Sequence, residues 1–433
     1  MPDPSVLVVG GGPGGATLAA VLAKHGVRVT LLEKTAHPRH HVGESLQPAS
    51  LQLLDKHLGM APRMAAQGFA RKYGALYVWG ETREPWSVLF DERLERDLPG
   101  LDEEGLLTGG YDHAWQVERS IFDHLLFEEA GRRGVDLQVG VEAMAPLVED
   151  GRVVGVSTRD HGDLRADLVV DASGQRCLLG RAFGLHRNVD DLQSTATYAY
   201  YDGGGGVPGV LGRHVQFVVT VPDGWIWYIP VSPTRTSVGI VVKEKARMSR
   251  ERFEAILAEA ELPALGTFVE DEGLRHVRDW SYACTQTAGP GWLMVGDSAC
   301  FVDPILSGGV DFAIRGACSA AVGILRILEG ADATGVLTEL DERLRLEYRA
   351  YLRLARYWYG NNRSVNGFFW EAHSELGADR LSTPLRAFVW LTSGRYAADK
   401  HFRVFDEWQE QQMFQSLGVD ASRLKRAWKD RAT

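Results

Sequence analysis

The hydrophobic and polar positions alternate in three distinct ways along the chain. Near the start, Ser5 to Val9 is a short, valine-rich apolar run that predicts a buried parallel strand. Gly10 to Gly15 interrupts it, Ala16 to His25 has helical spacing, and Val27 to Leu32 is a second buried strand. That strand–turn–helix–strand order is how a parallel α/β sheet begins. Helical spacing returns over Ser45 to Leu58 and over Ser120 to Arg132, the latter with Ser120 as its cap and Gly131 and Gly134 at its end. Val135 to Val139, Val153 to Ser157 and Leu164 to Val170 read as strands.

From about Thr195 to Val242 the pattern changes to runs of period two separated by glycine and proline turns, which predicts an antiparallel sheet. Ser249 to Glu261 is a helix, Leu293 to Val295 returns to the buried-strand style, and Gly309 to Leu328 is a long helix. From Leu337 onward the chain is helical by period and rich in aromatics, among them Tyr348, Tyr351, Trp358 and Tyr359. The expected organisation is a discontinuous nucleotide-binding domain (1–75, 105–190 and 275–335), a substrate-side sheet domain (76–104 and 191–274) and a C-terminal helical region (336–433).

Composition narrows the class. The 433 residues are 45% hydrophobic and 24% charged, which excludes a mostly disordered chain. No apolar run approaches the ~18 residues of a membrane span, and no signal peptide is expected. With 47 Lys and Arg against 57 Asp and Glu the net charge is -10, so nucleic acid is not an expected partner. The last residues carry Arg423, Lys425, Arg426, Lys429 and Arg431, read either as a solvated helix or as a docking patch. Cys177, Cys284, Cys300 and Cys318 are scattered, which predicts neither zinc nor a disulfide framework and suits the cytoplasm.

The chemistry begins at Gly10-Gly-Gly12-Pro-Gly-Gly15, a GxGxxG that follows a strand and opens a helix. Gly10 allows the tight turn, Gly12 lets backbone approach a pyrophosphate, and Gly15 lets helix and strand pack closely. The helix N-terminus adds N–H groups and partial positive charge. Glu33, at the end of the second strand, is placed to bind the two hydroxyls of an adenosine ribose.

Asp171-Ala-Ser-Gly174, Gly296-Asp297 and Asp303-Pro304 follow further strands, and with GxGxxG this trio resembles the FAD-dependent monooxygenase superfamily of the para-hydroxybenzoate hydroxylase type. The resemblance implies an α/β fold with an FAD domain, an antiparallel substrate-side sheet and a C-terminal helical region. It implies that Asp297 holds the flavin's ribityl chain, that the Asp303–Gly309 loop lies beside the isoalloxazine, and that Arg119 contacts flavin. From the residues alone, Asp297 and Asp303 could instead be cap and turn formers, and Arg119 a surface side chain.

Two further motifs carry the resemblance to the flavin-dependent halogenases. Trp225-Ile-Trp227-Tyr-Ile229-Pro230 is WxWxIP, with both indoles on one face of a strand. Phe69-Ala-Arg-Lys72-Tyr-Gly74 is FxxKxG. By that resemblance the tryptophans keep substrate off the flavin and Lys72 is catalytic. Without it, the tryptophans would read as core packing and the lysine as surface. Gly43-Glu-Ser-Leu-Gln-Pro48 and the length look most like the subgroup that chlorinates pyrrolyl or phenolic rings on a carrier protein. In free tryptophan halogenases a glutamate precedes the chloride-loop serine; here Leu306 precedes Ser307. The expected chloride site is Ser307, Gly308 and Gly309, its extra glycine loosening the loop.

The implied course is that a separate flavin reductase supplies reduced FAD, chloride becomes hypochlorous acid, and the oxidant passes the indoles to Lys72. There an amine in apolar surroundings can carry or polarise it for attack on an electron-rich ring. Rival readings are an aromatic hydroxylase on the same scaffold and a non-catalytic escort protein of this fold.

Overall fold

The computed structural model describes residues 5–79, 85–90 and 113–360, apart from positions 210, 223, 244, 245 and 279, together with Gln412. The basic C-terminal cluster, and nearly all of the expected helical region beyond residue 360, lie outside the described residues.

The expected α/β architecture is present. One sheet runs in the order Ala288–Gly289, Trp292–Met294, Leu168–Asp171, Ser5–Val9, Arg28–Glu33, Asp136–Val139. The last five strands are mutually parallel, with Val8 opposite Val170 on one side and Leu31 on the other. The inner strands Ser5–Val9 and Leu168–Asp171 are buried on both faces and need apolar residues at nearly every position, which is why periodicity of two is absent there. Helix Pro13–Lys24 packs on one face and starts at the proline, whose fixed φ and missing N–H suit the first helical position. Helix Gly309–Leu328 packs beside it.

The second sheet runs Thr267–Phe268, Thr195–Asp202, Arg235–Val242, Gly224–Pro230, Val215–Val221, Gly74–Val78, Pro85–Leu89, and Arg275–Arg278 also pairs with Thr195–Asp202. Its alternation sorts side chains cleanly. Trp225, Trp227 and Ile229 face one apolar cluster, shared with Leu306, Tyr351 and Trp358. Ile226 and Tyr228 face the other, shared with Phe253.

Two expectations change. The helix expected from Ser45 begins only at Pro48, because the residue before a proline is driven to extended backbone; Gln47 sits at φ -110°, ψ 151°. Ser45–Gln47 runs alongside the short strand Ala114–Gln116 instead, with Leu46 N–H donating to Trp115 O at 3.0 Å. The other edge of that strand pairs with Ala70–Lys72. The helix expected to be capped by Ser120 starts at Arg119 with no side-chain cap.

Among the described residues no helix is long and apolar enough to cross a membrane, and no group of three or more His, Cys, Asp or Glu could hold a metal ion.

Candidate active site

The carboxyl ends of the parallel strands converge on Gly10, Glu33 and Asp171, the end at which such sheets bind nucleotides. Gly10 has φ +108°, and a Cβ there would lie 2.3 Å from Ala172 O. At Gly15 a Cβ would lie 1.9 Å from Gly10 O, so both glycines are sterically required. Gly12 is different. Its missing Cβ direction is open, with only the Arg39 guanidinium near, at 3.6 Å. Bare backbone, an uncapped helix N-terminus and a guanidinium thus share one surface, a set that fits a pyrophosphate.

Glu33 is buried. Its Oε2 accepts from Gly11 N–H at 2.9 Å, its Oε1 accepts from Thr35 N–H at 3.0 Å, and Arg39 lies 3.5 Å away. It therefore braces the glycine loop, with oxygen lone pairs left over for hydroxyl donors. Arg119 is not a surface residue: it is 5% exposed, clamps Asp123 through Nε and Nη2 at 2.7 and 3.0 Å, and donates from Nη1 to Val42 O at 2.7 Å. Asp297 is partly buried, and burial pushes its carboxyl up to about 6 against the pull of Arg119. A carboxylate kept in that state is a ready acceptor for a ligand hydroxyl. These features together fit FAD.

Asp297 lines a narrow cleft together with Asp303, Gly308, Gly309, Phe301 and Tyr351. The loop between is closely held. Asp303 caps the short helix Pro304–Leu306 by accepting from Ile305 N–H at 2.9 Å, so its turn-forming role is real. Burial pushes its carboxyl up to about 7. Ser307 adopts left-handed backbone, φ +53°, and its hydroxyl donates to Gln216 Oε1 at 2.8 Å. Gly308 precedes, and Gly309 opens, the long helix, leaving first-turn N–H groups without intrahelical partners. The extra glycine does not loosen this loop: a Cβ on Gly309 would lie 2.7 Å from the Phe301 ring and one on Gly308 3.1 Å from the Tyr351 ring. The Phe301 ring leaves no room for a side chain at Gly309, and at Gly308 the Tyr351 ring would have to give.

Lys72 is buried, 1% exposed, at the end of the Ala70–Lys72 strand. Its Nζ donates to Leu46 O at 3.1 Å and lies 5.3 Å from the centre of the Phe90 ring. Burial pulls the amine down to about 7, opposed by the Asp311 carboxylate. Asp311 itself is held by Arg315 Nε at 2.6 Å and Ser50 Oγ at 3.0 Å. The segment that receives the lysine also grips the glycine loop, since Gln47 Nε2 donates to Leu306 O at 2.8 Å and Ser45 Oγ to Gln216 Oε1 at 2.5 Å.

The indoles of Trp225 and Trp227 are buried, their ring centres 6.1 Å apart. Trp225 Nε1 donates to Tyr359 Oη at 2.9 Å, and that hydroxyl lies 3.0 and 3.1 Å from the two oxygens of Asp303. Trp227 Nε1 donates to Ser237 Oγ at 3.1 Å, and its ring lies over Gly239, where a Cβ would be 2.2 Å from Cζ2. Beyond it, Tyr200 Oη donates to Glu44 Oε1 at 2.6 Å, and burial pushes Glu44 up to about 7. Sequence reasoning missed Arg39, Gln216, Gly239, Asp311 and Tyr359 as site residues. Of these only Gly239, a glycine inside a strand, carried a readable signal of close approach.

Comparison with known proteins gives the family. The tryptophan halogenase family model matches residues 5–102 and 93–432. A tryptophan 2-halogenase of Chondromyces crocatus is 32% identical over 399 residues, covering 87% of this chain and 72% of its own. A 1H-pyrrole-2-carbonyl-[peptidyl-carrier protein] chlorinase of Pseudomonas fluorescens is 30% identical, covering 76% and 77%. The solved myxobacterial chondrochloren halogenase, an FAD-dependent halogenase, is 34% identical with TM-score 0.74, covering 91% of each chain. The cofactor is FAD. This chain therefore belongs to the tryptophan halogenase family and is a flavin-dependent halogenase, an oxidoreductase.

Proposed function

We propose that this halogenase chlorinates an electron-rich pyrrolyl or phenolic ring delivered on a carrier protein, with Lys72 as the catalytic residue. The observation that carries the reading is the burial of that amine. It sits beside Phe90, anchored to Leu46 O, in the segment that also holds the Ser307 loop. A lysine with no catalytic task would be expected in water.

When bound, reduced FAD supplies with dioxygen the two-electron oxidation of chloride to hypochlorous acid. Gly10, Gly12, Gly15, Glu33 and Arg119 would hold the dinucleotide, Asp297 would accept from its ribityl hydroxyls, and Asp303 and Pro304 would bind on the flavin side through the turn they form. Ser307, Gly308 and Gly309 offer backbone N–H groups at a helix N-terminus to chloride. Trp225 and Trp227 block organic substrate from the flavin. Lys72, balanced near neutrality, polarises hypochlorous acid as the ammonium or takes up chlorine as the amine, and presents it to the ring. Helix Ala333–Gly360 packs Tyr351 and Trp358 against the indole face, which supports a substrate site covered by the C-terminal region.

A flavin reductase, as a transient partner or by diffusion, supplies reduced cofactor. The four free cysteines support a reducing compartment, the cytoplasm. The carrier protein is favoured by the GESLQP segment and by likeness to the pyrrole chlorinase.

The test uses protein, FAD, a reductase, NADH and chloride, with carrier-bound thioesters and the matching free acids. Chlorinated thioester and unreacted acid are expected, by mass spectrometry. Lys72→Ala should abolish ring chlorination while reduced flavin is still oxidised. Oxygenated product without chlorine would refute the halogenation chemistry, chlorination by Lys72→Ala would refute the site, and equal turnover of free acid would remove the carrier.

A further inference from the structure

We propose that Cys177 and Cys284 form a redox-active dithiol, a modification site at which halogen oxidant straying from the flavin cleft is consumed by disulfide formation. The inference rests on the reading above for the source of the oxidant, though not for the existence of the site.

The two sulfurs are 3.4 Å apart, both buried, although the residues are 107 positions apart in sequence. They are held there from several sides. Cys177 adopts left-handed backbone, φ +48°, between the Asp171-Ala-Ser-Gly174 turn and helix Leu178–Ala182, whose Leu179 N–H donates to Asp171 Oδ2 at 2.7 Å. Cys284 ends the strand Tyr282–Cys284, and its N–H donates to Ala299 O at 2.9 Å. Gly180 seals the pair: a Cβ there would lie 2.3 Å from one sulfur and 2.6 Å from the other. An S–S bond of ~2.05 Å needs the sulfurs to approach by a little over an ångström, within side-chain rotation.

The neighbourhood connects the pair to the oxidant. Cys284 Sγ lies 3.8 Å from Ser298 O, one residue from Asp297. Cys300, which lines the same cleft as Asp297 and Gly308, sits on the strand beside Ala283. Either thiol can donate toward the other, and the sulfur that accepts, Cys177 when Cys284 donates, is the one that attacks.

The chemistry closes. The Cys177 thiolate attacks the chlorine of hypochlorous acid, forming S–Cl and releasing hydroxide. Cys284 sulfur then displaces chloride and loses its proton. In sum two thiols and one hypochlorous acid give one disulfide, one chloride, one proton and one water. Cys318, buried on helix Gly309–Leu328 and raised by that burial, is a built-in control.

The test treats the FAD-loaded full chain with one equivalent of hypochlorous acid, blocks thiols with N-ethylmaleimide after denaturation, and maps peptides without reduction. Titratable thiols should fall from four to two, with Cys177 joined to Cys284 and the bond reversed by dithiothreitol. Four surviving thiols, or loss confined to Cys300 or Cys318, overturns the proposal. Cys177→Ser should remove the cross-link, and the mapping of unaltered protein decides the matter if that variant does not fold. A parallel arm uses turnover with reductase and NADH, with and without chloride. A cross-link from added oxidant but none from chloride turnover that yields trappable hypochlorous acid overturns the scavenging role; turnover that yields no hypochlorous acid at all counts against the chloride-oxidising reading instead.

Discussion

Replacing Lys72 with methionine should make the protein more stable near neutral pH while removing its chlorinating activity. The amine is 1% exposed and its burial pulls it from 10.5 to about 7. The unfolded chain therefore holds a proton that the folded chain sheds between those two values. Below about pH 7 folding carries the full penalty of a buried ammonium, and the penalty fades as pH rises toward 10.5. At 1.36 kcal/mol per unit it amounts to about 5 kcal/mol near pH 6, about 3 near pH 8 and about 1 near pH 10. Methionine has similar length and no charge, but it forfeits the bond to Leu46 O, which returns about 1 kcal/mol. The variant should gain about 4 kcal/mol near pH 6 and almost nothing near pH 10. Urea unfolding followed by tryptophan fluorescence, on both proteins across that range, measures the difference. A variant no more stable than its parent near pH 6, or a gain that does not change with pH, would show that the amine is hydrated. The argument for a sequestered, tunable lysine would then fail.

Gly239→Val pushes side-chain carbon into the space of the Trp227 ring; the displaced indole should cut ring chlorination at least tenfold while hypochlorous acid, trapped by a thiol probe, is still made. Unchanged product yield would mean the indole does not partition the site. Tyr359→Phe strands Trp225 Nε1 and removes a donor to Asp303, a loss of about 2 kcal/mol in stability, read by denaturation, because both are buried. Gly12→Val should leave folding intact, since its Cβ direction is open, yet weaken FAD at least tenfold in a fluorescence titration; unaltered affinity would move the pyrophosphate elsewhere.

What the sequence disclosed follows from how local each feature is. Gly10, Gly15 and the strands around them depend on contacts within one strand–turn–helix unit, and their pattern is written in adjacent residues. Trp225 and Trp227 share a face because strands have period two, so their pairing was also legible. Arg119 was ambiguous because nothing adjacent says that it clamps Asp123 and Val42 O within the fold. Ser45–Gln47 was misread as helix because leucine spacing outweighed Pro48, although a proline at that point favours extended backbone before it. Tyr359 and Gln216 were invisible as site residues: Tyr359 meets Asp303 across 56 positions, and Gln216 meets Ser45 across 171. No period or motif encodes such long-range pairs in one sequence.

Those long-range pairs explain how two functions can share one short loop. Asp303 is tied through the Tyr359 hydroxyl to Trp225, on the indole face. Leu306 and Ser307 are tied through Gln47 and Gln216 to the Ser45–Gln47 segment, which carries the acceptor for Lys72. The loop thus holds the indole face at one end and the amine's anchor at the other, with Gly308 and Gly309 packed under aromatic rings beside the cleft. A halide held at those glycines has its position set relative to both the indoles and the lysine by the same few bonds. Because a hydrogen bond lost at a buried site costs the desolvation of whatever it leaves unpaired, displacing one end strains the other. On the proposed reading, positional control over a reactive, small oxidant, which has almost no binding surface of its own, comes from fixing the walls around it.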